Sequence, residues 1–181
     1  MLTAIQLKPL SRTGWVRKGI SNPETVAAHS WGVAFLVLNT LPDHLSLEKA
    51  LSYAVLHDLG ESITGDFTPL DNITKEEKLR KETLAMQNIC SGLARGEQIM
   101  QCWLDYEAQQ NPEAQFVREL DRLDMAIQAL HYASGHGTHD HWREFFDSAQ
   151  SYIQDPVLTP LIKEVRNAYE ALTAKISTPQ E

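Results

Sequence analysis

Four polar side chains interrupt segments whose other positions carry the apolar residues of buried helix faces. They are His29, the adjacent pair His57-Asp58, and Asp121. A buried carboxylate without a partner is costly, so such residues require a cation or hydrogen-bond donors. Taken singly, each has a commoner explanation, namely a satisfied core histidine or a solvent-facing aspartate. Together, two imidazoles and two carboxylates form a ligand set suited to a divalent ion such as Mn, Co, Zn, Ni or Mg.

The residues that follow the histidine-aspartate pair indicate the chemistry of such a centre. An ion held there would lower the pKa of water towards neutrality and offset charge on phosphoryl oxygens. Glu61 follows Asp58 by three residues, so the two would share one face if the helix continued for another turn. This spacing puts a carboxylate near the metal ligands without making it one of them. Gly60 and Gly65 allow sharp changes of backbone direction around it.

The elements that must position these side chains are helices, because helix signals recur along the chain and strand signals are rare. Each predicted helix begins at a capping residue, often followed by proline or by a glutamate three positions later. The second helix is expected to end at Gly60, and residues 63–73 form the most loop-like interior segment. We predict an all-α fold. The predicted starts are Asn22-Pro23, Ser46, Thr74 with Glu77, Asn111-Pro112 and Asp155-Pro156.

Length and charge limit the kind of protein this is. The chain has 181 residues, which suits a single domain with a buried core. Sixteen Lys and Arg residues against 24 Asp and Glu residues give a net charge of −8. This acidity argues against broad binding of polymeric nucleic acid or of an anionic membrane surface. A phosphate-bearing substrate would therefore depend on a metal ion or on a few local basic residues.

Several sequence features bear on the protein's location. No apolar run approaches the ~20 residues of a membrane span, and the N-terminus lacks the pattern of a secretory signal. Cys90 and Cys102 have neither the spacing of a zinc site nor a CxxC motif. We therefore expect two free thiols in a reducing, cytoplasmic compartment.

The order His29, His57-Asp58, Asp121 resembles the H…HD…D signature of the HD-domain metal-dependent phosphohydrolases. Other segments resemble one branch of that superfamily, the YfbR-like and HD-domain-containing 5′-deoxynucleotidases. The signature alone indicates the superfamily, whereas Gly14-Trp15 and the Gly-Glu-Ser-x-Thr-Gly-Asp segment are more specific to the branch. The matching segments are residues 12–16, 24–30, 57–66, 71–78, 106–107 and 116–121.

The resemblance implies a single helical HD domain over residues 1–181. Its motifs would lie within about residues 12–130, and C-terminal helices would span about residues 139–176. The branch also suggests a homodimer. Mixed apolar surfaces around Trp103 and Trp142 would be compatible with such an assembly.

The resemblance further implies an activity and a set of roles. The reaction would be hydrolysis of a deoxyribonucleoside 5′-monophosphate to the deoxynucleoside and phosphate. Glu61 would act as the acid/base beside the attacking water, or would help Asp66 to hold a second ion. Asp66 and Thr68 would line the sugar side of the pocket, and Trp15 would pack against the nucleotide. One divalent ion would be held by His29, His57, Asp58 and Asp121.

One departure from the branch concerns the residue that contacts phosphate. Bacterial relatives have an arginine directly before the tryptophan, whereas Gly14 stands there in this chain. Members that resemble the eukaryotic proteins share an Arg-x-Gly-Trp arrangement. Arg12 is therefore the candidate, with Arg17 and Lys18 as alternatives.

Other functions remain open within the same superfamily. They are hydrolysis of nucleoside triphosphates, guanosine tetraphosphate or cyclic nucleotides, and a non-catalytic nucleotide-sensing module. A di-iron oxygenase is disfavoured because no histidine lies between His57 and Asp121. Asp124 is expected to be a supporting residue rather than a ligand. A surface loop, rather than a second metal site, is expected at His131, His136, His139 and His141.

Overall fold

Helices form the fold of the residues that the computed structural model describes, 2–136 and 142–177. Within these ranges no strand occurs, and Ser11 and Thr25 form an isolated antiparallel bridge. The all-α prediction is confirmed. Short 3-10 helices lie at Ala4–Leu7 and Pro69–Asp71. The α-helices are α1 (Thr13–Arg17), α2 (Val26–Thr40), α3 (Leu47–Leu56), α4 (Glu61–Thr64), α5 (Lys75–Cys90), α6 (Gly96–Ala108), α7 (Pro112–His136), α8 (Arg143–Tyr152) and α9 (Leu158–Ser177).

Capping side chains begin three of the long helices where the sequence predicts them. The hydroxyls of Ser46 and Thr74 each accept a hydrogen bond from the backbone amide three residues later, at the starts of α3 and α5. Asn111 accepts one from the amide of Ala114 at 2.9 Å, at the start of α7. These bonds satisfy amide donors that the first turn of a helix leaves unpaired.

The start of α2 differs from the prediction. Asn22 is not its cap; the side chain of Thr25 accepts the capping bond instead. The preceding residues are extended, because the amide of Arg12 donates to the carbonyl of Glu24 at 3.0 Å and Ser11 bridges to Thr25. Because these residues pair with the N-terminal segment, α2 begins about one turn later in the sequence than predicted.

The end of α3 also differs. The helix stops at Leu56 rather than at Gly60, and His57 is its C-terminal cap. A tight turn follows, in which the amide of Glu61 donates to the carbonyl of Asp58 at 3.0 Å. Asp58 therefore lies in the turn between two helices and Glu61 begins the second of them, so the two do not share one face of a continuous helix.

The longest helix, α7, lies at the centre of the fold, where it packs against α2, α3, α6, α8 and α9. Leu120 and Leu123 on its inner face are fully buried. The expectation of apolar surface around Trp103 and Trp142 is wrong, because each is only 1% exposed and belongs to a core cluster. Both indoles fill the interior and leave little area for a partner.

The division of the chain into one domain over residues 1–181 stays a prediction. Helices α8 and α9 occupy the C-terminal part expected at about residues 139–176, although residues 139–141 lie outside the described ranges. No helix in the described part of the chain is long and apolar enough to cross a bilayer.

Candidate metal centre and active site

Helix α2, the turn after α3, and helix α7 bring the four predicted metal ligands together. Nε2 of His29 lies 3.1 Å from Oδ1 of Asp121 and 3.8 Å from Oδ2 of Asp58. Nε2 of His57 lies 3.1 Å from the same Asp58 oxygen and 3.3 Å from Nε2 of His29. Ligand atoms of His29, His57 and Asp121 all lie within 4.8 Å of one another. The arrangement could hold one metal ion.

The opposite nitrogen of each imidazole is held by an oxygen. Nδ1 of His29 lies 2.7 Å from a carboxylate oxygen of Asp124, and Nδ1 of His57 lies 2.9 Å from the carbonyl oxygen of Ala54. Both oxygens are acceptors, so each Nδ1 carries a proton, and Nε2 is the nitrogen that each ring turns towards the other ligand candidates. A histidine that ligates a metal is held in this way, by an oxygen at the ring nitrogen opposite the ion. The donor set therefore fits a divalent ion.

Gly32 leaves room for the contact between Asp124 and the His29 ring. A Cβ atom added at Gly32, one turn after His29 in α2, would overlap the carboxylate of Asp124. Asp124 is thus pressed against the α2 backbone, where it can reach the His29 ring from α7. Asp124 takes the supporting position expected of it, whereas the requirement for Gly32 is not visible in the sequence.

Electrostatics make the centre attractive to cations. Burial and the charge of Arg12 lower the pKa of His29, but Asp121 and Asp124 outweigh them and raise it to about 9. Burial favours the neutral form of Asp58, yet His57 and His29 hold its pKa below the ordinary value. Burial likewise opposes ionisation of Asp121, whose pKa is nevertheless held well below its usual range by His29. Both carboxylates are therefore charged at neutral pH, as metal ligands must be.

Glu61 lies at the start of α4, where its side chain is only 4% exposed. Its Oε2 atom is buried and has no hydrogen-bond partner among the described residues. Burial, reinforced by the charges of Asp58 and Asp66, raises the pKa of Glu61 to about 10. The carboxyl group consequently holds a proton at neutral pH, which is the state that a general acid requires.

Of the three basic candidates for phosphate contact, two are engaged elsewhere. Arg17 binds Asp71 and the hydroxyl of Thr68, and Lys18 lies 2.5 Å from Glu144. Arg12 differs, because its Nη1 atom is buried without a hydrogen-bond partner in the described part of the chain. Burial lowers the pKa of Arg12, but Asp121 and Asp58 are the main charges that raise it above its usual value. A charged guanidinium therefore faces the centre with donor capacity to spare.

The three remaining predicted residues are held by contacts with residues other than the four metal-ligand candidates. Trp15 is 2% exposed, packs on Tyr132 and Phe145 with ring centroids 5.3 and 4.6 Å away, and donates from Nε1 to Glu24 at 2.8 Å. Its indole is therefore mainly a core residue. Asp66 accepts a hydrogen bond from the amide of Thr13 at 2.5 Å. The Thr68 hydroxyl bonds to Asp71 and Arg17, and no contact in the described residues joins it to the four metal-ligand candidates.

Known proteins are similar to this chain in both sequence and fold. The family described as HD domain matches residues 4–160. The chain belongs to the HD-domain family. A curated relative from Mus musculus, named 5′-deoxynucleotidase HDDC2, is 34% identical over 174 residues, which cover 95% of this chain and 87% of the relative. The protein of the same name from Danio rerio is 38% identical over 162 residues, or 88% of this chain and 81% of its own.

A solved structure extends the likeness to three dimensions. The HD-domain chain superposes on a crystal structure of a Pyrococcus horikoshii OT3 protein with a TM-score of 0.74 and 29% identity. The match covers 93% of this chain and 96% of the archaeal one. The fold is therefore similar over nearly the whole of both chains.

Two further residues of this HD domain lie beside the site; they belong to segments that resemble the branch, but the sequence alone assigns them no role. Lys78 on α5 lies 3.7 Å from a Glu61 oxygen. The ring of Tyr106 is 5.8 Å from the ring of His57, with the guanidinium of Arg118 4.6 Å from its centre. Both contacts join helices distant in sequence, so no local pattern reveals them. The expectation of a surface loop is wrong at His131 and His136, which belong to the end of helix α7. His131 is exposed, while His139 and His141 and the side chain of His136 lie outside the described residues.

Proposed function

We propose that the protein is a metal-dependent 5′-deoxynucleotidase, which converts deoxyribonucleoside 5′-monophosphates to deoxynucleosides and phosphate. The observation that carries the proposal is the convergence of two imidazoles and two carboxylates beside a buried carboxyl group. Its substrate class is supported by relatives of 34–38% identity that are named 5′-deoxynucleotidases.

His29, His57, Asp58 and Asp121 are the residues that would hold one divalent ion, with Mn, Co, Mg, Zn or Ni as the candidate. When bound, the ion supplies positive charge to the phosphate and lowers the pKa of water. The chain's own contribution is to fix the two Nε2 atoms by hydrogen bonds at Nδ1, so the ligands are ordered before metal arrives.

Glu61 would handle the proton of the reaction. Attack of water on phosphorus breaks the bond to the 5′ oxygen of the sugar, and that oxygen must gain a proton to leave. The carboxyl group of Glu61, whose burial favours the protonated form, would give its proton to the 5′ oxygen and regain one from the attacking water. Asp66 and Thr68 would bound the sugar side of the pocket, and Trp15 would limit the nucleotide side from the core.

Purified protein stripped of metal tests the proposal. It is assayed with added Mn, Co or Mg against deoxyribonucleoside and ribonucleoside monophosphates, triphosphates, guanosine tetraphosphate and a cyclic nucleotide. We expect phosphate release from deoxyribonucleoside monophosphates only when metal is added. Turnover of triphosphates alone would contradict the branch assignment, and binding without turnover of any substrate would indicate a sensing module.

Arg12 is the proposed phosphate-contacting cation, and its replacement by alanine should raise KM. A hydrogen bond to a charged group contributes enough that its loss should raise KM roughly 10- to 100-fold. Arg12→Lys should recover only part of the loss, because lysine lacks the planar fork of donors. Steady-state kinetics at saturating metal measure this, with thermal melting to check the fold and Arg80→Ala, an exposed site on α5, as control. Unchanged KM and turnover in Arg12→Ala would reject the role.

A cytoplasmic homodimer is also proposed. The free cysteines Cys90 and Cys102 accord with a reducing compartment, and the charge of −8 disfavours polymeric nucleic acid and anionic membranes as partners. An apolar stripe along α2, formed by Trp31, Phe35 and Leu38, is 54–70% exposed and supplies a surface for a second copy. A monomeric mass in light scattering would contradict the dimer.

A further inference from the structure

Helix α5 places the ion pair between Lys78 and Glu82 next to Glu61. Nζ of Lys78 lies 3.7 Å from Oε1 of Glu61 and 3.4 Å from Oε1 of Glu82, one turn further along α5. Glu61 is 4% exposed and Glu82 is 8% exposed, so these carboxyl groups have little water around them. Lys78 is therefore a bridge between two enclosed carboxyl groups that lie on different helices.

The helix that carries Glu61 needs such support. Helix α4 has only four residues, and a helix of that length has no stability of its own. It packs against α5, and a Cβ added at Gly60 would come within 3.4 Å of the Cβ and the carbonyl oxygen of Glu82. The backbone on which Glu61 sits is thus held against the same turn of α5 that holds Lys78.

The two oxygens of Glu61 have different surroundings. Oε1 faces the ammonium group of Lys78, whereas Oε2 is buried and without a hydrogen-bond partner among the described residues. The positive charge of Lys78 favours the carbonyl oxygen of the protonated Glu61 at the Oε1 position, which leaves Oε2 available for another task. Burial lowers the pKa of Lys78, but the carboxyl groups around it, Glu82 foremost, outweigh burial and raise it, so the lysine stays charged.

We propose that Lys78 and Glu82 are positioning residues for Glu61: Lys78 holds Oε1, Glu82 holds Lys78, and Oε2 is thereby aimed at the reacting atoms. The inference rests on the proposed role of Glu61 in the hydrolysis. It assigns no contact with substrate to either residue. Their effect passes through the orientation of the Glu61 carboxyl group.

The test compares Lys78→Met, Lys78→Arg and Glu82→Gln in the full chain with saturating metal. Misplacement of a reacting group by a fraction of an ångström costs rate rather than affinity, so Lys78→Met should lower kcat roughly 10-fold with KM within about 2-fold. Lys78→Arg should restore most of kcat, and Glu82→Gln should lower it less than Lys78→Met does. Lys75→Met, at the exposed start of the same helix, is the matched control and should match the parent.

A double variant tests whether Lys78 affects kcat through Glu61. Adding Lys78→Met to Glu61→Gln should cause no further loss, because the residue through which Lys78 acts is already disabled. A further 10-fold loss would overturn the proposal, and so would a raised KM with normal kcat, which would make Lys78 a substrate contact. If Glu61→Gln itself leaves kcat unchanged, the proposed function of Glu61 fails. If Glu61→Gln loses activity and Lys78→Met and Glu82→Gln do not, the positioning role alone fails.

Discussion

Replacement of Asp121 by alanine should reduce metal-dependent phosphate release by roughly 1,000-fold or more, the factor that corresponds to several kcal/mol of lost charge stabilisation. Asp121 lies 3.1 Å from Nε2 of His29 and is the ligand candidate that α7 supplies. Without it, the cluster keeps ligands from α2 and from the turn after α3 alone. The measurement is the rate of phosphate release over a titration with Mn, Co or Mg.

The same variant has a readout that does not depend on activity. A ligand that binds only the folded state raises the free energy of unfolding, by about 2.7 kcal/mol at 100 times its Kd. The parent protein should therefore melt at a higher temperature when metal is added, and Asp121→Ala should lose most of that increase. Asp43→Ala, at an exposed position, is the control and should keep both the activity and the metal-dependent shift. Undiminished activity in Asp121→Ala would reject the assignment of the metal centre.

Glu61→Gln should lower kcat by about 100- to 10,000-fold, the usual contribution of a positioned acid or base. Glutamine keeps the shape of the side chain and cannot transfer the proton. Because Glu61 is not among the proposed metal ligands, calorimetric metal binding should stay close to that of the parent. Glu97→Gln, at an exposed position in α6, is the control. A large loss of metal affinity in Glu61→Gln would instead favour a role for Glu61 in holding a second ion.

The raised pKa of Glu61 also predicts the pH dependence of folding. The folded protein keeps this proton up to about pH 10, whereas the unfolded chain releases it near the ordinary pKa of glutamate. Between those values the folded state binds more protons, so this group lowers the free energy of unfolding as pH rises. Glu61→Gln removes the contribution and should flatten the decline in urea-unfolding experiments between pH 6 and about pH 9. An unchanged slope would contradict the raised pKa.

Residue types alone predict much of the site. His29, His57, Asp58 and Asp121 stand out because each is a polar residue where a helical core calls for an apolar one, and the structure brings their ligand atoms together. The starts of α3, α5 and α7 follow from capping residues, which act locally. Capping residues and the pattern of polar and apolar positions therefore predict the parts of the fold that depend on residues close in sequence.

The features that the sequence does not predict depend on contacts between distant segments. Thr25 replaces Asn22 as the cap of α2 because the segment before it pairs with residues 10–12. Trp142 is buried against Trp15 and Tyr132, which come from other parts of the chain, as well as against the nearby Phe145. Lys78 belongs to a strongly charged helix, where it looks like any other solvent-exposed lysine. Its contact with Glu61 arises only because α5 packs on α4.

The exposed stripe on α2 gives this protein a built-in optical probe. Of its four tryptophans, Trp15, Trp103 and Trp142 are 1–2% exposed, whereas Trp31 is 70% exposed and stacked on Phe35. A water-soluble collisional quencher such as iodide should therefore dim mainly the Trp31 share of the fluorescence. If two copies meet along this stripe, that quenchable share will shrink as protein concentration rises. Trp31 lies two residues after His29 in the same helix, so its emission would also report a change of environment at the metal centre when an ion is taken up.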